Sequence, residues 1–373
     1  MISTTALLLL ALLQDPAPGT TLDLGGRKAS VRRFDALPVV ESEYAKRFRF
    51  DAADNPKLKE LREKYKLDEV VAAGKDEFDR QILLLDWTHR QFKKFGRPSA
   101  NPQGALEILK NVEEGHTFFC AQYGATFVSA AASLGWIDRA LALRRHRDYP
   151  GAGSPEHTST EIWSNQYRKW VMLDPTANLH VLKDGVPLSA YEIRSEWFER
   201  EGKDLVFVIG KERKPHRKAD LPIFLGRFAG FGDLTVPANE MEKYGFTAYI
   251  PNTNLMDAGP DYGKMFIVKD RHCEGTKWHE RLNPPNPAVD PYFPIGQVSV
   301  TLAAEGGSLK TTFRTMTPNF REYQVRRDGG DWTRSGDSLR WDLHDGTNRL
   351  EARTVNQFGV TGPASTVELD LLR

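Results

Sequence analysis

The chain has 373 residues, of which 40% are hydrophobic, 27% charged and 10% aromatic. That composition excludes a disordered, collagen-like or multi-span membrane protein, and the length calls for two or three domains at roughly 100–200 residues each. Lys and Arg number 51 against 50 Asp and Glu, a formal charge of +1, so no overall field draws the chain to nucleic acid or anionic lipid.

Ala6 to Leu13 is an apolar run followed by Gln14, Asp15 and two prolines. It is too short to span a bilayer and matches the apolar centre of a signal peptide, although no Lys or Arg precedes it and no clean cleavage site follows. Residues 1–19 are therefore set apart as a signal peptide, and the mature protein is expected to be secreted or periplasmic, with no transmembrane span.

From Asn55 to about Gly135 the pattern is helical. Phe78, Ile82, Leu85, His89 and Phe92 recur at three- and four-residue steps and form one face, on which His89 reads as a satisfied core histidine. Asn101 followed by Pro102 predicts an N-cap and a short helix through Leu109, ending before Gly115. The alanine-rich segment from Cys120 to Gly135 predicts a buried helix that begins at the cysteine. Residues 139–146, 157–164 and 168–174 then read as strands, the last two joined by a hairpin turn at Asn165-Gln166. Helices followed by an antiparallel sheet make an α+β core, assigned to residues 20–182.

Residues 183–295 carry scattered aromatics and many glycine breaks. They are expected to be an extension packed on the core, with a basic solvated loop at Lys211 to Lys218 and a stiff proline-rich linker at 283–295. Their aromatics, among them Phe231, Tyr249, Tyr262 and Trp278, either pack the extension onto the core or line a substrate groove. From Val298 short alternating segments are punctuated by Asp328-Gly329-Gly330, His344-Asp345-Gly346 and Phe358-Gly359. That is the size and spacing of an immunoglobulin-like β-sandwich over 296–373.

Chemistry concentrates on Cys120, His157 and Asp174. A thiol at a helix N-terminus faces unpaired N–H groups and the positive end of the helix dipole, which favours the thiolate. A two-residue loop at 165–166 pairs Ser164 with Tyr167 and, stepping outward along both strands, His157 with Asp174. The carboxylate could then accept from the imidazole while the other ring nitrogen faces the thiol. Singly, each residue also has an ordinary reading: a small buried cysteine, a surface histidine, an Asp-Pro turn. Of the two cysteines, Cys273 lies near His272 and His279, but no fourth ligand and no common zinc spacing accompany them. No metal site is assigned. No phosphate-cradling loop, dinucleotide fingerprint or H-E-x-x-H is present either.

The ordered set Cys120, Leu134-Gly135, His157 with Glu161, and Trp170 with Asp174-Pro175-Thr176 resembles the transglutaminase-like superfamily over about residues 100–180. The resemblance implies a papain-like Cys-His-Asp core with Cys120 as nucleophile, His157 as acid and base, and Asp174 orienting the imidazole, without metal or organic cofactor. One departure is Phe118, where a glycine usually stands two before the cysteine; Gly115 lies further back. The Cys120 N–H is the first oxyanion donor, and His116, Thr117 and Gln122 are candidates for the second. Glu161 is expected to be a structural hydrogen-bonder. The function implied is cleavage or transfer of amide or related acyl bonds through a thioester on Cys120. Hydrolysis, as a bacterial peptidase or amidase, is favoured over transfer, with a peptide, protein or glycoprotein substrate. The rival is a non-catalytic protein that keeps the fold and grips a cell-surface polymer or glycan through the C-terminal domain.

Overall fold

The computed structural model describes residues 13–14, 16–36, 39–145, 156–217, 224–228, 232–235, 244–250, 256, 266–267 and 290–372. They fall into two units, Glu41–Phe293 and a second made of Met1–Val40 with Pro294–Arg373. The chain opens with strands β1 (Leu13–Gln14), β2 (Thr21–Asp23) and β3 (Lys28–Asp35). The helices α1 (Glu43–Arg47), α2 (Pro56–Lys64), α3 (Leu67–Val71), α4 (Glu77–Gln91), α5 (Ala105–Glu113) and α6 (Cys120–Ser133) follow. Local chemistry sets their starts: Asn55 accepts from the Lys57 N–H with Pro56 in the first turn, and Asp76 accepts from the Asp79 N–H. α5 begins after Gly104 rather than at Asn101-Pro102. The Glu107 carboxylate takes the Gln103 N–H, and Gly104, at φ 83°, turns the chain into the helix.

α6 is built of small buried residues because it lies hard against the sheet; a Cβ on Gly124 would stand 3.2 Å from Thr158 Cγ2. Beyond it come β4 (Asp138–Arg145), β5 (Glu156–Ser164), β6 (Lys169–Asp174), β7 (Leu179–Lys183), β8 (Val186–Pro187) and α7 (Ala190–Arg200). The strands β9 (Val206–Ile209), β10 (Lys214–His216), β11 (Phe224–Phe228), β12 (Gly232–Thr235), β13 (Tyr244–Tyr249) and β14 (Phe266–Ile267) complete this unit. Nine of them form one antiparallel sheet in the order β10-β9-β7-β6-β5-β4-β13-β14, with β8 on β7, while β11 and β12 form a two-stranded sheet among the described residues. The unit is α+β, as the patterning predicts.

Three sequence expectations are corrected here. The extension from 183, expected to pack on the core, instead shares its sheet: its boundary falls inside β7, β9 and β10 widen the sheet on one side, and β13 pairs with β4 on the other. The end of the proline-rich segment is not a linker. Asp290–Tyr292 forms a 3-10 turn, and Phe293 is buried against Phe48 and Trp170. The β5–β6 hairpin pairs Ser164 with Lys169, not with Tyr167, so its turn holds four residues. Glu77 of α4 fixes this wider turn by accepting from the Gln166 N–H and Asn165 Nδ2, and Arg168 adopts a left-handed φ of 52°.

The second unit adds β15 (Ser299–Glu305), β16 (Ser308–Arg314), β17 (Phe320–Arg327), β18 (Thr333–Ser335), β19 (Ser338–Trp341), β20 (Gly346–Asn356) and β21 (Ser365–Leu372). A four-stranded sheet, β1-β15-β16-β19, and a six-stranded sheet, β18-β17-β20-β21-β3-β2, share a core that includes Val300, Leu302, Phe313 and Trp341 from one and Ala29, Val31, Val325 and Leu369 from the other. Residues 20–36 therefore belong to this sandwich and not to the α+β core. The buried Ala29 and Val31 alternate with exposed Lys28 and Arg32, a half-buried strand that β21 receives along its whole length. Most of the proposed signal peptide, residues 1–12, lies outside the described residues. Leu13–Gln14 pairs with Thr301 and Leu302, so the part of 1–19 that is described joins the sandwich instead of standing apart from the fold. No helix among the described residues is long and apolar enough to cross a membrane.

It follows that residues 296–373 alone, which the sequence suggests as a self-sufficient domain, should not unfold cooperatively. They lack the buried Leu22, Leu24 and Val31, each worth about 1.5–3 kcal/mol against a domain stability of about 5–15 kcal/mol. Residues 16–36, joined after residue 372 by a flexible linker, should restore a cooperative thermal transition. A sharp transition without them would count against this division.

Candidate active site

Cys120 is the first residue of α6, capped by the backbone of Phe119 with no side-chain cap and no acidic residue in the first turn. No side chain therefore competes with the thiol for the positive end of this helix. His157 lies near the start of β5 and Asp174 at the end of β6, both buried. His157 Nε2 donates to Asp174 Oδ2 at 2.9 Å, and the ring also contacts the Cys120 thiol, which leaves Nδ1 as the nitrogen facing sulfur.

The structure brings together all three residues that the sequence singles out, though by a different register. With Ser164 opposite Lys169, His157 is not opposite Asp174 but on its diagonal. The two registers differ by an even step, so both residues stay on one face, and a diagonal separation of about 7–8 Å between backbones is within reach of imidazole and carboxylate. The β5–β6 ladder stops at Thr160–Leu173. Past that point the Thr158 N–H donates to Cys120 Sγ at 3.3 Å.

Burial alone would raise the Cys120 thiol, but the His157 charge, its hydrogen bond and the Thr158 N–H outweigh burial, and the thiol is lowered from its ordinary value. For His157 burial works against the charged ring, yet Asp174 and Cys120 together raise it to about 10. Each partner is shifted toward its charged form. The arrangement favours a thiolate–imidazolium pair held against a helix N-terminus.

Asp174 is itself held from behind. Its Oδ1 accepts from the N–H groups of Thr176 and Ala177. The turn that follows is fastened to α4: His89 Nδ1 donates to Pro175 O at 3.1 Å, and Asn178 Nδ2 donates to Asp86 Oδ1 at 3.0 Å. His89 is therefore satisfied, as its place on an apolar face suggests, but by the turn that follows Asp174. Tyr123, one helical turn after Cys120, stacks on Phe92 with ring centroids 3.8 Å apart.

The oxyanion candidates separate. His116 Nδ1 is hydrogen-bonded to Ser99 Oγ, and Thr117 donates its hydroxyl to Arg97 O and its N–H to Ser99 Oγ, so both tie the entry to α6 onto the 97–99 segment. Phe118, the departure from the family pattern, is fully buried and bridges to Phe95. Gln122 has a buried Oε1 with no hydrogen-bond partner. Sequence reasoning missed the Thr158 N–H, a backbone group with no side-chain signature, and the Asp86–Asn178 bond. An aspartate among the apolar residues of α4, one turn before His89, was the available signal for the latter. His272, Cys273 and His279 lie outside the described residues, as do Phe231, Tyr262 and Trp278. Among the described residues no group of three or more His, Cys, Asp or Glu side chains is gathered as for a metal ion.

Glu161 is a structural hydrogen-bonder on a larger scale than its strand position suggests. Directly opposite Arg139 on β4, it receives Arg139 Nη2 at 2.6 Å, and both side chains are fully buried. Its other oxygen accepts from the Ala190 N–H at 2.7 Å and the Tyr292 hydroxyl at 2.9 Å. Arg139 also donates to Pro291 O and lies against the rings of Trp170, Tyr249 and Tyr44.

No family model and no curated protein matches the sequence. Among solved structures, a crystal structure of red sea bream transglutaminase aligns over 83% of this chain and 72% of its own, at 12% identity and a TM-score of 0.26. At so low a likeness, the chemistry of this site is read from its own geometry.

Proposed function

We propose that this chain is an exported cysteine enzyme of the transglutaminase-like kind that cleaves amide or related acyl bonds through a thioester on Cys120. The observation that carries the reading is the convergence on one sulfur of a helix N-terminus, the Thr158 N–H and an imidazole braced by a buried carboxylate. The Cys120 thiolate attacks the carbonyl carbon, and the charge that develops on oxygen is met by the Cys120 N–H. His157 gives its Nδ1 proton to the departing amine as the C–N bond breaks, leaving a thioester and a neutral ring. The ring then takes a proton from water as its oxygen attacks the thioester. Collapse releases the carboxylic acid and restores the thiolate–imidazolium pair. Hydrolysis is favoured over transfer because water needs no second binding subsite, whereas an acceptor amine does. The substrate class is a peptide, protein or glycoprotein.

The test is acid-quenched mass spectrometry after incubation with a mixed peptide and glycopeptide library. An acyl adduct on Cys120 that is absent from Cys120→Ala is expected, and limited iodoacetamide at neutral pH should label Cys120 before Cys273. A Cys120 that forms no adduct and labels no faster than an ordinary peptide thiol would overturn the reading.

A further inference from the structure

We infer that Asp86 and His89 of α4 are positioning residues for the Cys120–His157–Asp174 site, an inference that rests on the function proposed above. Three residues apart, they lie on one face of the helix and grip the 174–178 turn at both ends, His89 at Pro175 O and Asp86 at the Asn178 amide. The turn cannot settle by its own preferences alone. Asn178 sits at φ 51°, where an asparagine is tolerated but not favoured, and its carbonyl is taken by the Gly210 N–H.

Asp86 is buried, and its second oxygen accepts from Arg90 Nε at 2.7 Å, which fixes its rotamer. Because a carbonyl can only accept, His89 is held as the Nδ1–H form. The two bonds restrain the backbone whose Thr176 and Ala177 N–H groups orient the Asp174 carboxylate toward His157. Loosening either bond lets that carboxylate swing off the ring. The imidazolium is then less stabilised, and the thiol is less lowered.

The titratable groups acting on Cys120 are His157 from β5, Asp174 from β6 and, on its own helix, Tyr123; His89 from α4 lies beside the Tyr123 ring. The readout is therefore the pH dependence of Cys120 alkylation by iodoacetamide in the full-length protein. Asp86→Ala and His89→Ala should each move the midpoint up by about one pH unit. Asp86→Asn, which can still accept from Asn178, and His89→Asn, which can still donate to Pro175 O, should return it near the wild-type value. Far-UV circular dichroism establishes folding. If Asp86→Ala does not fold, the His89 pair, whose ring is only partly buried, carries the test.

Asp174→Asn separates the two layers of the argument. If it leaves the midpoint unmoved, the triad reading itself fails. If it raises the midpoint while the folded alanine variants keep the wild-type value, only the positioning role is overturned. Asparagine variants as shifted as the alanine ones would likewise overturn it, by placing the effect in helix packing.

Discussion

Replacing His157 by alanine is expected to lower turnover by about 10²–10⁴-fold, the range that a positioned acid–base group supplies, while the protein stays folded. The variant should also reshape the pH profile. In the wild type the ion pair is expected to span the range between a thiol lowered from its ordinary value and an imidazolium raised to about 10. Activity should therefore persist well above the usual histidine range and fall as His157 loses its proton. The stability linkage has a matching sign. A histidine raised from 6.5 contributes fully below that value and loses its contribution as pH climbs through the folded one, whereas the lowered thiol contributes above its unfolded value and loses that contribution as pH falls. Asp174→Asn should move the alkaline limb down, because it keeps an acceptor but removes the charge facing Nε2. Turnover in His157→Ala equal to wild type on a substrate that acylates Cys120 would remove the residue from the site.

Glu161→Ala should destabilise the Glu41–Phe293 unit by about 3–5 kcal/mol, the cost of leaving a buried charge without its partner. Arg139 would remain fully buried without its carboxylate partner, among Pro291 O and aromatic faces, and the Ala190 N–H and Tyr292 hydroxyl would lose their acceptor. Removing both charges is a different matter. Arg139→Met combined with Glu161→Leu replaces the pair with apolar groups of similar size and should recover most of the loss, since a buried ion pair gains little over well-packed hydrocarbon. Urea unfolding of the two single variants and the double variant gives the coupling directly. A Glu161→Ala protein within 1 kcal/mol of wild type would mean that the charge finds water or another partner on removal of the carboxylate.

The helices between Asn55 and Gly135, the strands around the hairpin and the juxtaposition of His157 with Asp174 were legible because each depends on short-range pattern. A helix-start cysteine, alternating strands and parity across a hairpin survive an error in turn length, and so His157 and Asp174 meet despite the two-residue shift imposed by Glu77. What was not legible depends on partners distant in sequence. Ala29 and Val31 carry a clear alternation, but nothing near them says that the receiving edge is β21. Val206–Ile209 and Tyr244–Tyr249 are short segments among glycines and aromatics whose strand character comes from docking on β7 and β4. The fastening of the Asp174 turn to α4 joins residues that are ordinary taken singly.

The pairing of β3 with β21 also orders events in time. During synthesis β3 emerges early, with its edge and its buried face uncovered, and its partner is made only after the whole of Glu41–Phe293. At about 5–20 residues per second the wait lasts tens of seconds, long enough for the inserted α+β unit to fold while the first strands remain open. A strand with one edge open that long invites pairing with a neighbouring nascent chain. Lys28, Arg32 and Arg33, which punctuate β3, put like charges against such a meeting, so that the strand keeps until its own partner arrives.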